Sequence, residues 1–299
     1  MKYGLFLGCN MPAIRPDVER AIRLTMPKLG VELIDLEGCA CCSAFGTFPS
    51  ADEIAGLAVN AWNLAIAEES GVDPIVECGS CYSSLRLGRD KLLQDEEKKK
   101  RVNELLKIAG KEFKGTAQTH HMIDVLYNEV GTEKISNAIT RNLNGINAVV
   151  QYPCHTMFPS EIVGFDNPRR PQMLKELVEA LGAKVQGFSR EPQCCGGAGG
   201  FSHGAHIDAV KFTQKKFDAI TEETSAELIV VSCITCLMHL DGTQRDLNKG
   251  SDDHKYSLPV FDYNQVLALC MGFDPKEVAS ISFIPRDKVI EKILANPRS

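Results

Sequence analysis

The sequence predicts an α/β protein of two similar tandem domains, each a small parallel sheet with flanking helices and with cysteine clusters at the carboxyl ends of strands. Three observations support this fold class. The chain has 299 residues, 44% of them hydrophobic, which is enough for two cores. One cysteine pattern occurs twice, and strand-like and helix-like segments alternate in the same order in both halves. We therefore expect domains at residues 1–140 and 141–299.

The cysteine repeat is the strongest signal in the sequence. The spacing is C-x31-CC-x35-CxxC in the first half and C-x39-CC-x37-CxxC in the second. Five cysteines in the same order, twice, with an adjacent pair in the middle of each set, leave little room for chance. The first set is Cys9, Cys41, Cys42, Cys78 and Cys81, and the second set is Cys154, Cys194, Cys195, Cys233 and Cys236.

The segments between the cysteines predict the same elements in each half. A strand precedes the first cysteine, a helix and a strand precede the adjacent pair, and a longer helix and a third strand precede the CxxC. Because the carboxyl ends of parallel strands meet at one sheet edge, the five sulfurs of each half should converge. The predicted strands are 3–7, 32–36, 74–77, 148–151, 184–188 and 228–232, the predicted helices are 16–29, 51–70, 171–181 and 206–224, and segments 120–131 and 259–272 each close a half with a short strand or helix.

Composition limits the function. Lys and Arg number 33 against 39 Asp and Glu, a formal net charge of -6, which argues against a nucleic-acid partner. The N-terminus resembles no secretory leader, and the most apolar stretch, 228–240, is far shorter than the ~20 residues of a membrane span. We therefore expect a cytoplasmic protein without a transmembrane segment. In a reducing compartment, clustered cysteines usually bind metal rather than form disulfides.

Five thiolates in each half favour iron over zinc. Tetrahedral zinc takes four ligands, so an all-cysteine zinc site would leave one sulfur of each set unused. An iron–sulfur cluster has several metal atoms and can use a fifth sulfur. Iron thus ranks first, zinc second and structural disulfides third.

These two motifs resemble the cysteine-rich CCG domains in tandem, and the chain is most similar to the family of the heterodisulfide reductase B subunit. The resemblance implies two noncubane [4Fe-4S] clusters, one held by each cysteine set, with zinc in one site as the alternative. The first half departs from the CCG motif, because Ser43 follows its adjacent cysteine pair, whereas Gly196 follows the pair in the second half.

The same resemblance implies an activity and partners. The reaction would be the two-electron reduction of the mixed disulfide of coenzyme M and coenzyme B to two thiols, a step of methanogenesis. The ferredoxin run C-x2-C-x2-C-x3-C is absent, so a partner must deliver electrons. By resemblance, the partners are the heterodisulfide reductase C subunit, with cubane [4Fe-4S] clusters, and its flavoprotein A subunit, with a hydrogenase or formate dehydrogenase as electron source. The alternatives are a component of a succinate, fumarate or lactate oxidoreductase, or a zinc-binding scaffold.

Few residues outside the repeat stand out. His155, directly after Cys154, is a candidate proton donor or substrate contact, or else a histidine that hydrogen-bonds a sulfur or the backbone. The glycines after Cys195 should let backbone amides approach the sulfurs. Weaker site candidates are the histidines His203, His206 and His239 and, for an anionic substrate, the arginines Arg15, Arg86, Arg169 and Arg170. Residues expected to be structural are Cys39, His120, His121, Cys270 and the core residue Trp62. Segment 89–114 should be solvated helix.

Overall fold

Two sheets, each of four parallel strands, form the centre of the protein in the computed structural model, which describes residues 1–43, 48–197, 201–250 and 255–298, without the side chains of Phe201 and His203. The first sheet has the order β2-β1-β3-β4 and the second the order β6-β5-β7-β8. This identical order confirms the predicted fold class. The strands are β1 (Lys2–Leu5), β2 (Glu32–Asp35), β3 (Pro74–Val76), β4 (His120–His121), β5 (Asn147–Gln151), β6 (Lys184–Val185), β7 (Leu228–Val231) and β8 (Val260–Asp262).

The inner strands are apolar because helices cover both faces of each sheet. All four residues of β7 are buried, and β7 lies between β5 and β8. In the first sheet β1 lies between β2 and β3, with Leu5 opposite both Asp35 and Ile75. This shared register brings the carboxyl ends of neighbouring strands to one edge of each sheet.

Sixteen α-helices are described, together with a π-helical segment at Val125–Val130 and a 3-10 turn at Cys154–Thr156. The helices are α1 (Asn10–Ile14), α2 (Pro16–Lys28), α3 (Phe48–Ala51), α4 (Glu53–Glu69), α5 (Gly79–Gln94), α6 (Glu96–Lys107), α7 (Met122–Asp124), α8 (Thr132–Ala138), α9 (Ser160–Val163), α10 (Met173–Ala180), α11 (Phe201–Gly204), α12 (His206–Glu223), α13 (Ile234–Asn248), α14 (Tyr263–Cys270), α15 (Pro275–Val278) and α16 (Asp287–Leu294).

The helix ends follow from local chemistry. Pro16 begins α2, where its missing N–H leaves no bond unmade. The Asp52 side chain accepts a hydrogen bond from the Ala55 N–H and so begins α4 two residues later than expected.

Segment 89–114 differs from the single solvated helix that its charge pattern predicts. The chain leaves α5 and starts α6 at Asp95, whose side chain accepts a hydrogen bond from the Lys98 N–H. In α6, Val102 and Leu106 are buried. The charged residues thus form only the outer face of a helix that packs on the core.

Trp62 is also less buried than predicted. Its neighbours Leu64 and Ile66 are buried in the core. The indole lies at the edge of the core and donates a hydrogen bond to the carbonyl oxygen of Gly38 at 2.9 Å. The polar N–H of tryptophan explains this edge position.

Buried polar contacts join the two halves. Asp17 on α2 accepts a hydrogen bond from the Gln265 side chain on α14 at 2.7 Å. The Arg15 guanidinium pairs with both Asp17 oxygens at 3.0 Å, and Arg286 from the C-terminal segment lies 3.9 Å away. Arg15, Asp17 and Arg286 are all almost completely buried. The boundary at 140/141 stays a prediction, although each sheet lies on its own side of it.

Candidate metal centre

The cysteines of both sets follow strands, and three of them begin helices. Cys9 precedes α1, Cys78 precedes α5 and Cys233 precedes α13, each as the N-terminal flanking residue of its helix. The N-terminus of a helix carries partial positive charge, which favours the thiolate form of a neighbouring cysteine.

Within each set the sulfurs form a row of neighbours. In the first set the order of contacts is Cys9, Cys41, Cys42, Cys81, Cys78. In the second set it is Cys154, Cys194, Cys195, Cys236, Cys233, beginning with a separation of 3.6 Å between the sulfurs of Cys154 and Cys194. Both rows therefore have the same order: the first cysteine, the adjacent pair, and then the second and the first cysteine of the CxxC.

The two rows meet end to end. The Sγ atoms of Cys78 and Cys233 are 4.0 Å apart, and the Gly79 N–H donates a hydrogen bond to Cys233 Sγ at 3.3 Å. A Cβ atom on Gly79 would lie 2.8 Å from Cβ of Pro153, so only glycine permits this approach of the halves. The ten sulfurs therefore form one continuous series. Equivalent cysteines of the two halves lie the same number of places along the series from the Cys78–Cys233 contact.

The electrostatics of the row distinguish thiolates from thiols. Hydrogen bonds from Cys233, Cys81 and Thr235 hold the pKa of Cys78 well below its usual range. In the second set, hydrogen bonds from Cys154 and Cys195 lower the pKa of Cys194 to about 2. Each half therefore has one sulfur that its neighbours stabilise as an anion, and thiolate is the form that binds metal.

The donor set fits a cluster of several metal atoms. Sulfur is a soft ligand that suits both zinc and iron–sulfur clusters. Among the residues that the structure describes, no group of three or more His, Cys, Asp or Glu side chains converges in the way that a single ion requires. Five neighbouring sulfurs in each half are more donors than one tetrahedral zinc ion takes, and they suit a centre with several metal atoms.

Backbone amides also approach the sulfurs, as the glycines after Cys195 predict. The Gly196 N–H donates to Cys194 Sγ at 3.3 Å, and the Gly197 N–H donates to Cys195 Sγ at 3.4 Å. Gly196 has a φ of +94°, which favours glycine. The rest of this stretch, residues 198–200, lies outside the described residues.

His239 supports this loop, a role that the sequence did not distinguish from that of an ordinary helical residue. A Cβ atom on Gly197 would lie 2.7 Å from Cβ of His239, so the imidazole packs directly under the loop. His239 Nε2 lies 2.9 Å from Thr213 Oγ1, which in turn lies 2.7 Å from the Cys195 carbonyl oxygen. The only sequence signal was its position three residues after Cys236.

His155 lies between the two sets. Its Nδ1 is 3.3 Å from Ser80 Oγ, within the CxxC of the other half. Burial lowers the pKa of His155, while the sulfurs of Cys194, Cys78 and Cys42 act in the opposite direction. These influences come from both cysteine sets, so the imidazole is near the junction of the two rows.

A buried carboxyl pair at the junction was missed by sequence reasoning. Glu77 directly precedes Cys78, and Asp262 ends β8 of the other half; both are fully buried. Burial raises the pKa of each, and each also influences the other. Ser232 occupies the position before Cys233 that Glu77 occupies before Cys78. A single acidic residue after a strand carries no signal by which sequence could have found it.

The other predicted candidates lie elsewhere. Arg15, one of the weaker candidates for contact with an anionic substrate, is buried in its pair with Asp17. Arg86 donates to the Ile162 carbonyl oxygen, and His206 lies 3.3 Å from Asp246. Arg169 and Arg170 are exposed in a turn, and the side chain of His203 lies outside the described residues.

The remaining residues expected to be structural lie outside the sulfur row. His120 is near Asp73 and Asp124, and His121 is stacked on Phe165. The other two are Cys39 and Cys270.

Comparison with known families accounts for the duplicated motif. The model of the cysteine-rich domain called CCG matches residues 3–86 and 148–241, which together cover more than half of the chain. The chain belongs to the CCG family. Both CCG copies contain a complete set of five cysteines.

Relatives of this CCG protein extend over its whole length. A protein of Archaeoglobus profundus, named as similar to the B subunit of heterodisulfide reductase, is 44% identical over 100% of both chains. The B subunit of the ferredoxin/F(420)H(2)-dependent CoB-CoM heterodisulfide reductase of Methanosarcina acetivorans is 36% identical over 93% of this chain and 91% of its own. The 8-methylmenaquinol:fumarate reductase membrane anchor subunit of Wolinella succinogenes is 29% identical over 93% and 94%. The chain is therefore a redox protein of the family of the heterodisulfide reductase B subunit.

The fold of this CCG protein is also found in a solved structure. A hypothetical protein from Helicobacter pylori superposes with a TM-score of 0.71 at 12% identity, over 93% of this chain and 50% of the other. This chain thus spans about half of that protein, and the likeness shows the fold alone. In the part of the chain that the structure describes, no helix has the length and apolar character needed to cross a membrane.

Proposed function

We propose that this protein is the catalytic subunit of a heterodisulfide reductase that reduces the mixed disulfide of coenzyme M and coenzyme B to two thiols. The observation that carries the proposal is the junction of two complete five-cysteine rows at Cys78 and Cys233. The reaction breaks one S–S bond and takes up two electrons and two protons. Two redox sites with the same arrangement of sulfurs, one on either side of the junction, suit this two-electron stoichiometry.

The cofactors we propose are two noncubane [4Fe-4S] clusters, one held by each cysteine set. Each such cluster supplies one electron at a time, and reduction of a disulfide to two thiols requires two electrons. The protein contributes sulfurs of lowered pKa at Cys78 and Cys194, helix N-termini at the strand ends, and amide hydrogen bonds from Gly196 and Gly197 to the sulfurs.

His155 is the residue we propose to contact the substrate and supply a proton. It is half-buried, near both sets, and hydrogen-bonded to Ser80 across the junction of the two halves. Burial lowers the pKa of this imidazole, so its protonated form would readily release a proton to a forming thiolate.

The proposed partners are the cubane-bearing C subunit and the flavoprotein A subunit of heterodisulfide reductase, with a hydrogenase or formate dehydrogenase as electron source. The sequence has no ferredoxin-type run with which to collect electrons from a donor. We also propose a cytoplasmic location, because exposed and half-buried thiols such as Cys9 and Cys154 stay reduced only in a reducing compartment. The archaeal heterodisulfide reductase relative is the basis for proposing a role in methanogenesis.

The test is a metal analysis of anaerobically purified protein, followed by EPR with and without the mixed disulfide. About eight irons per chain, with matching acid-labile sulfide and a signal that the mixed disulfide induces, support two clusters at a substrate site. A colourless protein loaded with zinc would contradict the proposal and favour the zinc scaffold.

A second candidate function rests on the fumarate reductase relative. The CCG protein would then transfer electrons in a succinate, fumarate or lactate oxidoreductase. The half that departs from the motif, with Ser43 after the adjacent cysteines, would be the one to hold zinc. About four irons and one zinc per chain, with no response to the mixed disulfide, would favour this candidate.

A further inference from the structure

A buried lysine lies beside the second cysteine set. Lys216 on α12 is 1% exposed and is the one buried lysine among the described residues. Its Nζ donates hydrogen bonds to the carbonyl oxygens of Arg190 and Glu191, at 2.7 and 3.3 Å. These carbonyls lie three and four positions before Cys194, and Thr213, one turn earlier on α12, donates a hydrogen bond to the Cys195 carbonyl oxygen at 2.7 Å. This part of α12 therefore packs against the segment that carries the adjacent cysteine pair.

The charge of Lys216 acts directly on the sulfurs. Burial lowers the pKa of Lys216 to about 8, and the sulfurs of Cys195, Cys236 and Cys194 and the Glu191 carboxyl act in the opposite direction. The Lys216 ammonium therefore keeps its positive charge beside this cysteine set at neutral pH.

A neutral side chain takes the corresponding place beside the first set, where the described residues include no buried lysine. The segment that leads into Cys41 is held by Asn63, which accepts a hydrogen bond from the Ala40 N–H at 2.8 Å and donates one to the Cys41 carbonyl at 3.4 Å. This amide performs the same anchoring that Lys216 performs in the second half. The two sites are therefore alike in sulfur arrangement and unlike in charge.

We propose that Lys216 is a positioning residue that makes the centre held by the second cysteine set the more easily reduced of the two. Reduction by one electron adds one negative charge to a centre without forming or breaking a bond. A fixed positive charge nearby stabilises that added charge, and it does so more strongly in a buried site than in water. The inference rests on the proposed iron–sulfur function.

The test is an EPR-monitored redox titration of the anaerobically purified protein with dithionite as reductant. Lys216→Gln keeps a hydrogen-bond donor for the two carbonyls and removes the charge. We expect the midpoint potential of the second centre to shift to a more negative value and that of the first centre to stay unchanged. Lys216→Arg should restore the wild-type potential. Lys215→Gln removes an exposed lysine from the next position of the same helix and should change neither potential.

The two centres are distinguished with Cys9→Ser, which alters only a ligand of the first set. Full iron content with unchanged potentials in Lys216→Gln would overturn this inference and leave the proposed function standing. Absence of iron from the wild-type protein would overturn both. If Lys216→Gln fails to retain iron, the wild-type titration decides, because a second centre that is harder to reduce than the first contradicts the inference.

Discussion

The Sγ atom of Cys78 lies 4.0 Å from the Sγ atom of Cys233, although 155 positions separate them in the chain. Each is the first cysteine of a CxxC at the start of a helix. The contact makes the two metal-binding sets neighbours within one site rather than two remote sites. Substitutions in one half should therefore be judged by their effect on both.

Removing one ligand from each set should remove one cluster at a time. Cys81→Ser and Cys236→Ser should each lower bound iron to about half of the wild-type content, because each deletes a sulfur from the interior of one row. Iron and acid-labile sulfide per chain are the measurement. Cys39→Ser, at a cysteine outside the row, should retain the full iron content. Full iron in both row variants would show that the rows are not the ligand sets.

His155→Gln should reduce turnover without removing iron. Loss of a positioned proton donor lowers rates by about 10²- to 10⁴-fold. The measurements are the steady-state rate with the mixed disulfide and iron content per chain. His206→Gln is the matched control, since His206 lies against Asp246 outside the sulfur row. A wild-type rate in His155→Gln would remove this histidine from the proposed chemistry.

Asp17→Asn should destabilise the protein strongly. Its carboxylate is the shared partner of Arg15, Gln265 and Arg286, and breaking a buried ion pair from one side costs about 3–5 kcal/mol. Denaturant unfolding under anaerobic conditions measures this loss. Glu277→Gln removes an exposed pair with Arg20 and should cost less than about 1 kcal/mol. Equal losses in the two variants would contradict the assigned role of burial.

His120 should contribute stability that depends on pH. The Asp124 carboxylate, followed by Asp73, raises the pKa of His120 in the folded protein above its value in the unfolded chain. The contribution is therefore complete below the unfolded pKa of about 6.5 and is lost as the pH rises through the folded pKa. Comparing His120→Gln with wild type, the unfolding free energy should differ by about 0.5–1 kcal/mol more at low pH than at high pH. A difference independent of pH would contradict this.

Sequence periodicity predicted much of the fold, because strands such as Leu228–Val231 are uninterrupted apolar runs and follow helices of clear pattern. It failed where single polar groups decide the structure. Asp95 divides one charged stretch into two helices, and Trp62 stays at the surface of the core to reach a carbonyl group.

The sulfur sets could be grouped from sequence, but their meeting could not. Spacing along the chain orders the cysteines within a half, whereas the contact between Cys78 and Cys233 depends on how the two halves pack against each other. The partners that fix this packing, Asp17 and Gln265, are 248 positions apart. Neither residue type signals a long-range contact.

The duplicated order of the sulfurs has a consequence for orientation. A site with two-fold likeness offers the same surroundings to either end of a molecule that lies across it. An unsymmetrical molecule can then bind in two opposite directions unless the halves differ. The differences between the halves include Ser43 against Gly196, Glu77 against Ser232 and Lys216 against Asn63. Any preferred direction must therefore come from the residues around the sulfurs, because the order of the cysteines is the same in both halves.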